Sequence, residues 1–531
     1  MTYSVALGYN WLYKYLSKEE KEKIENAIIN NGLIPGINGK YSTQFLKKSN
    51  NWNPICNGSL AIGAIAILNL DKKIELSEKN TEYKFQSKYL EIESDKIENN
   101  QYTISINKLC KAIIKRTIDE IPTVYKEMED GAYEEGTLYW EYGNSYLINF
   151  LSTAQLTFNN TFGLVKDEYL KNTILYPIYL TGKSSNKLEE CKLYNYGDAD
   201  EKIINTSAST WLANIYYKDE KLSKIVNWYQ KQYFEYQNIY QLLWQNYDSE
   251  IENMQDLEET LKNINDKQYK GSEIAILQNN ILEKDGFYIA AKAGTIANTN
   301  HSDLDAGSLI LDAKGTRWIE EQGREYYNVK GYWDKTYNRW TYYKKRAESH
   351  STIVLERDNN KEIEDQKVGS INKITDFSST QNQSSVMLDL SEAYNFEQDS
   401  KNKITRKIEL DKTENKVKIE DNINLDNETN IYSMFNIAKN TKIELTNDNK
   451  KAILTQNVIQ DDNTIKEEKL EMNILNSKYE WSILNKKPLN NDFINESINS
   501  NFKYNLELEN EQKLCILIKN GKNEKMDIEI Y

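Results

Sequence analysis

Apolar positions recur at helical spacing through the first half of the chain and at a period of two through much of the second. In LSKEEKEKIENAIINNG, Ser17 and Glu20 form a capping-box pair. Ile24, Ala27 and Ile28 make one stripe, and Gly32 is a stop signal. Residues 58–69 are apolar all round, which suits a helix buried between others. Residues 145–158 and 207–217 carry helical spacing, and residues 220–245 run long and aromatic-rich without Gly or Pro. The pattern changes near residue 270. Segments 403–423 and 513–531 alternate around turns, and Asn520-Gly521 is a hairpin signal. The spacing therefore predicts a two-domain α+β chain. Helices over about 1–265 form a bundle or an α/α toroid, and strands over about 270–531 form an antiparallel β-sandwich.

Composition narrows what such a chain can do. Its 531 residues suffice for two cores. A net charge of −14 argues against a nucleic-acid footprint, which should be basic. The 38 Tyr and 10 Trp argue against disorder. Tyrosine suits carbohydrate contact, although Tyr standing in for Phe in the core accounts for most of them. A polyanionic partner would need a local basic cleft. Lys344, Lys345 and Arg346, with Arg324, Lys330 and Arg339 nearby, could line one or could form a solvated face. Cys56, Cys110, Cys191 and Cys515 are scattered and read as reduced and structural. No stretch approaches the roughly 18 apolar residues of a membrane span. The N-terminus carries no secretory pattern, which makes the cytoplasm the default location.

Three segments carry candidate chemistry. In NWNPICNGSL a turn feeds the buried helix and places Asn57 near its N-terminus, as an anion-facing amide or, more simply, a cap. In DGAYEEGTLYWEYGNSY, glycines interleave with Tyr133, Tyr139, Tyr142 and Tyr146, the mark of irregular backbone. Such a run suits a cleft lining or a packed loop. The third segment holds both histidines of the chain, His301 and His350. In H-S-D-L-D, His301, Asp303 and Asp305 would share one face of a strand. Two His beside carboxylates suit proton transfer or metal binding, against the plainer reading of an edge strand's polar face.

The three segments, in this order, resemble the heparinase II/III-like family of polysaccharide lyases. NWNPICNGSL resembles its NWN…CNG helix entry, and DGAYEEGTLYWEYG its DG…EG…YW-x-YG loop. HSDLDAGSLILDAKGTRW resembles its H-x-H-x-DAGS opening of the β-domain, and YYKKRAESHSTIVL its YYR…HNT segment. The resemblance covers roughly residues 1–360. It implies an incomplete α/α toroid followed by an antiparallel β-sandwich, with a site between the two. The implied reaction is β-elimination on a uronic-acid polysaccharide, glycosaminoglycan- or alginate-like. The alternatives are a uronate C5 epimerase of similar fold and a catalytically inactive glycan-binding remnant.

By the same resemblance Asn57 neutralises the uronate carboxylate. Tyr142, with Tyr139 as runner-up, is the acid/base, and His301 is catalytic. Trp52, Glu135, Tyr139, Tyr337 and Arg346 are implied sugar contacts, and Tyr327 and Tyr332 are alternatives to Tyr337. Some members hold a metal, at positions that here read Asp303, Glu321 and His350. The reaction requires no cofactor, and one structural zinc or calcium ion is left open by this oxygen-rich set. The partner is an acidic polysaccharide, with no nucleic acid and no membrane span. NWN lies closer to the start than in the family, so several N-terminal helices are expected to be missing. The apolar faces that this would expose would favour a homo-oligomer. Residues 72–104 read as an inserted arm.

Overall fold

The computed structural model describes all residues except 38–44, 46–48, 78–100, 127, 129, 167, 186–190, 203, 233–237, 295–300, 335–337, 358–361, 365, 461 and 490–510. Helices fill the first half. The last of them ends at Leu261, and the strands of the second half begin at Lys267. Ser17 caps Lys18–Ile28 through the expected box with Glu20. The apolar run becomes the helix Trp52–Ala66, which packs against Thr2–Leu12, Ile106–Glu120 and Thr137–Phe158. Among the described residues no helix is long and apolar enough to cross a membrane.

Several local expectations fail for definable reasons. Gly32 does not stop its helix. Ile29–Leu33 continues as a wider turn into Ile34–Ile37, because Leu33 and Ile37 extend the buried stripe. The stretch 220–245 is two helices, Glu220–Lys231 and Ile239–Trp244. Asn238 and Gln241 form a second capping box that starts the later one. Of the expected arm, only the ends lie among the described residues. Lys73–Ser77 pairs antiparallel with Gln101–Ser105.

The second half is two antiparallel sheets. Lys267–Tyr269, Ile274–Gln278, Tyr288–Lys292, Leu309–Ala313 and Thr316–Ile319 form a five-stranded meander. Its three central strands are buried throughout, because each face meets a different core. Ile274, Ile276, Tyr288 and Ile310 join the helices' core. Leu277, Ile289, Leu309 and Leu311 join the core of the second, 11-stranded sheet. The meander is thus the middle layer of three.

In the large sheet Lys403–Asp411 and Lys416–Asn436 pair as their alternation predicts. Asn520-Gly521 makes no hairpin. Gln512–Ile530 is one strand along Lys416–Asn436, and the pair sits at a register shift, with Asn520 at φ 49°. Nor is H-S-D-L-D a strand. Residues 301–308 are irregular and the strand starts at Leu309, since Asp303 and Asp305 are drawn inward to the buried Lys345 and Lys292.

Candidate active site between the helices and the strands

Two irregular segments, 195–200 and 301–308, meet where the helices rest on the meander. The Asp198 backbone N–H donates to the His301 carbonyl at 3.0 Å. Gly197 permits that approach: its φ is 67°, and a Cβ there would lie 2.7 Å from the same oxygen. The Asp198 carboxylate is fully buried and collects four partners from the strand half. These are His301 Nδ1 at 2.9 Å, Lys345 Nζ at 2.6 Å, Arg339 Nη2 at 3.2 Å and the Tyr332 hydroxyl. Burial alone would raise its pKa. Lys345, the His301 hydrogen bond and Arg339 outweigh burial and hold Asp198 well below the usual carboxylate range.

His301 is therefore held on one side by a fixed anion. Tyr139 stacks on its ring at 3.7 Å between centroids, and Trp333 meets it edge-on at 5.7 Å. Its Nε2 lies 3.9 Å from Glu135 Oε1, while Glu135 Oε2 accepts the Asn51 N–H at 2.8 Å. Burial lowers the His301 pKa, against the pull of Asp198 and with help from Arg339 and Lys345. At neutral pH the ring is uncharged. With Nδ1–H donated to Asp198, the lone pair sits on Nε2.

Tyr139 lies in the first turn of Thr137–Phe158, just after Gly136, and its hydroxyl bonds to that of Tyr327. Burial, then the Tyr327 contact, raises its pKa, so it stays a phenol. Gly143, expected in an irregular loop, is inside this helix. A Cβ there would meet the Tyr133 hydroxyl at 2.5 Å. Tyr142, one turn after Tyr139, is 47% exposed and packs edge-on against Tyr146. Tyr139 and Tyr142 share the wall of a cavity of about 490 Å³ with Tyr3, Tyr146, Asn149 and Glu141. Burial lifts the Glu141 carboxyl to about 7, against one backbone hydrogen bond at Asn205. A larger cleft of about 870 Å³, lined by Asp285, Lys412 and Asp462, includes neither histidine.

The other expected residues divide. Asn57 is not a cap, because the helix begins at Trp52. It is buried in the second turn, where its amide donates to Asn53 Oδ1 at 2.7 Å and its own Oδ1 has no partner. No direct contact joins Asn57 to His301 among the described residues. Trp52 is half-exposed beside Asn51. Glu135 is at the site, and Tyr337 lies outside the described residues. Arg346 is buried on Glu348 at 2.8 Å, and Lys345 and Arg339 are buried on Asp198. The expected basic cleft is therefore largely a set of internal ion pairs.

The metal positions do not form a ligand set. Among the described residues no three His, Cys, Asp or Glu side chains converge on an ion. Asp303 Oδ1 takes the Lys345 ammonium at 2.6 Å. His350 Nδ1 meets Glu321 Oε2 at 2.6 Å, leaving His350 Nε2 and Glu321 Oε1 unpartnered. An ion on Nε2 would sit across the ring from Glu321, so the two orphan atoms do not point at one place. Sequence reasoning missed Asp198. Its signal was weak: Gly197-Asp198, a turn pair inside YNYGDAD, with neither helical nor strand period.

Residues 263–490 match the family model described as heparinase II/III-like, C-terminal. That match begins just after the last helix and covers most of the strand half of the chain. Solved structures similar to the chain include a heparan sulfate lyase, HepC from Pedobacter heparinus, at 11% identity and TM-score 0.58, covering 97% of this chain and 62% of that one. Heparinase III is similar at 11% identity and TM-score 0.52, covering 89% of this chain and 60% of that one. At such identity the likeness is one of fold, and the chain spans less than two thirds of either structure. No curated protein matches by sequence.

Proposed function

We propose that this protein is a polysaccharide lyase that cleaves a uronic-acid polysaccharide by β-elimination, with its helices arranged as an incomplete toroid. The observation that carries the reading is the stack of Tyr139 on His301, itself anchored to Asp198, beside a tyrosine-lined cavity. The C5 proton of a uronate is hard to remove while the neighbouring carboxylate is charged. Donors facing that carboxylate stabilise the developing enolate. A neutral imidazole with its lone pair on Nε2 suits the base, and the phenol stacked on it, which keeps its proton, is placed to protonate the departing O4. The reading therefore assigns His301 as base and Tyr139, rather than Tyr142, as acid. Asn57 is assigned to the carboxylate, a role that requires its amide to leave Asn53.

The test is incubation with heparan sulfate, hyaluronan, chondroitin and alginate, followed by ultraviolet absorbance of the unsaturated uronate. A rise that Tyr139→Phe removes and Tyr142→Phe leaves is the expected result. No rise and no shortening of any chain would overturn the lyase reading. Exchange of C5 hydrogen for deuterium without shortening would indicate the epimerase instead. A second reading, glycan binding without turnover, is favoured by one observation: Asn57 is turned away, inside its helix. Glycan binding retained in a protein that neither shortens nor exchanges any polyuronate would favour it.

A further inference from the structure

Lys345 Nζ lies 2.6 Å from Asp198 Oδ1 and 2.6 Å from Asp303 Oδ1, and all three side chains are at most 2% exposed. Arg339 Nη2 reaches the same two carboxylates at 3.2 and 3.8 Å. Two buried cations thus face two buried anions. A divalent ion added to Asp303 would bring two positive charges against the Lys345 ammonium and the Arg339 guanidinium that already hold that carboxylate, at high cost in a dry interior. Asp303 comes from the irregular segment that leads into the meander's fourth strand, and Asp198 from the helical half. One ammonium therefore ties together the two segments that carry His301 and its anchor. Lys345 also receives the Leu304 N–H on its carbonyl at 3.1 Å, which fixes the loop around Asp303. With Lys345 on Oδ1 and His301 on Oδ2, both Asp198 oxygens are committed, and the imidazole orientation is set by the pair.

We infer that Lys345 is a built-in cation that takes the place of a metal ion at Asp303 and, through Asp198, acts as a positioning residue for His301. The positioning half rests on the proposed function; the metal half does not. Elemental analysis of the full chain should find no stoichiometric zinc or calcium. EDTA, zinc and calcium should each move the thermal midpoint by less than about 1 °C. One metal per chain, or a midpoint lowered several degrees by EDTA, overturns the inference whether or not a substrate is found. Lys345→Met should lower kcat about 10- to 100-fold with KM nearly unchanged, and Lys345→Arg should recover most of the loss. Should Lys345→Met fail to fold, Lys345→Met with Asp303→Asn keeps the charges balanced and should show the same kcat defect. Wild-type kcat in either variant overturns the positioning role. The ring-nitrogen NMR signals of His301 should shift in the charge-balanced variant and stay fixed in wild type with EDTA; the reverse pattern overturns the inference without any turnover assay.

Discussion

His301 and His350 make the same first contact and end in opposite states. Each is buried and sets Nδ1 on a carboxylate, Asp198 at 2.9 Å and Glu321 at 2.6 Å. The pKa of His301 is lowered by burial. That of His350 is raised, because Glu321, with Asp303 and Asp305 behind it, outweighs burial. The difference lies beyond the shared hydrogen bond. Asp198 has already given its charge to Lys345 and Arg339, and these cations also act on the imidazole. Among the described residues Glu321 pairs with no Lys or Arg and keeps one oxygen without a partner. A His–carboxylate pair is thus a neutral imidazole or a buried ion pair according to what else holds the carboxylate.

The strongest way to break this comparison is Asp198→Asn. It leaves Lys345 and Arg339 facing a neutral amide, and stability should fall by about 3–5 kcal/mol in denaturant unfolding. Turnover should fall by on the order of 10²–10⁴ as the imidazole loses its anchor. A variant of wild-type stability would show that the four contacts do not act as described. Next comes the tyrosine pair. Tyr139→Phe should cut kcat by on the order of 10²-fold or more, while Tyr142→Phe should change it by less than about threefold. The opposite ranking, by steady-state kinetics, would detach the acid from the His301 stack.

Short motifs were enough to name His301, Glu135 and the Tyr139/Tyr142 alternatives as candidates, and the fold brings His301, Glu135 and Tyr139 together. What favours Tyr139 is its stack on His301, which no local pattern announces; Tyr142, three residues on, lines the same cavity but is half-exposed. Asp198 was not legible because its role comes entirely from partners more than 100 residues away. The layered fold was half legible. Alternation exposed the hairpin of Lys403–Asp411 with Lys416–Asn436 but split the single strand Gln512–Ile530 in two. The meander's central strands, buried on both faces, show no alternation to read.

Smaller effects should appear against pH. His301 has a folded pKa below its unfolded value of about 6.5, so its contribution to stability falls as pH drops below that value. His350 has a folded pKa above it, so its contribution is complete below about 6.5 and is lost as pH rises through the folded value. In unfolding curves taken across this range, His301→Asn should flatten the acid side and His350→Asn the alkaline side. A swap of these sides would reverse the assignment of the two states. The smallest change expected is from Glu321→Gln. It should cost about 1–3 kcal/mol and leave kcat untouched, since this pair lies outside the proposed chemistry.

The middle sheet has one further consequence. Because Ile274, Ile276 and Tyr288 belong to the helices' core and Leu277, Ile289 and Leu311 to the other, neither half of the chain is a separable module. A cut between Leu261 and Lys267 would strip one oily surface from each fragment's partner, and the two pieces would aggregate or recombine rather than survive alone. Heat should melt helices and strands in a single transition, and shortened versions for expression should keep the junction whole.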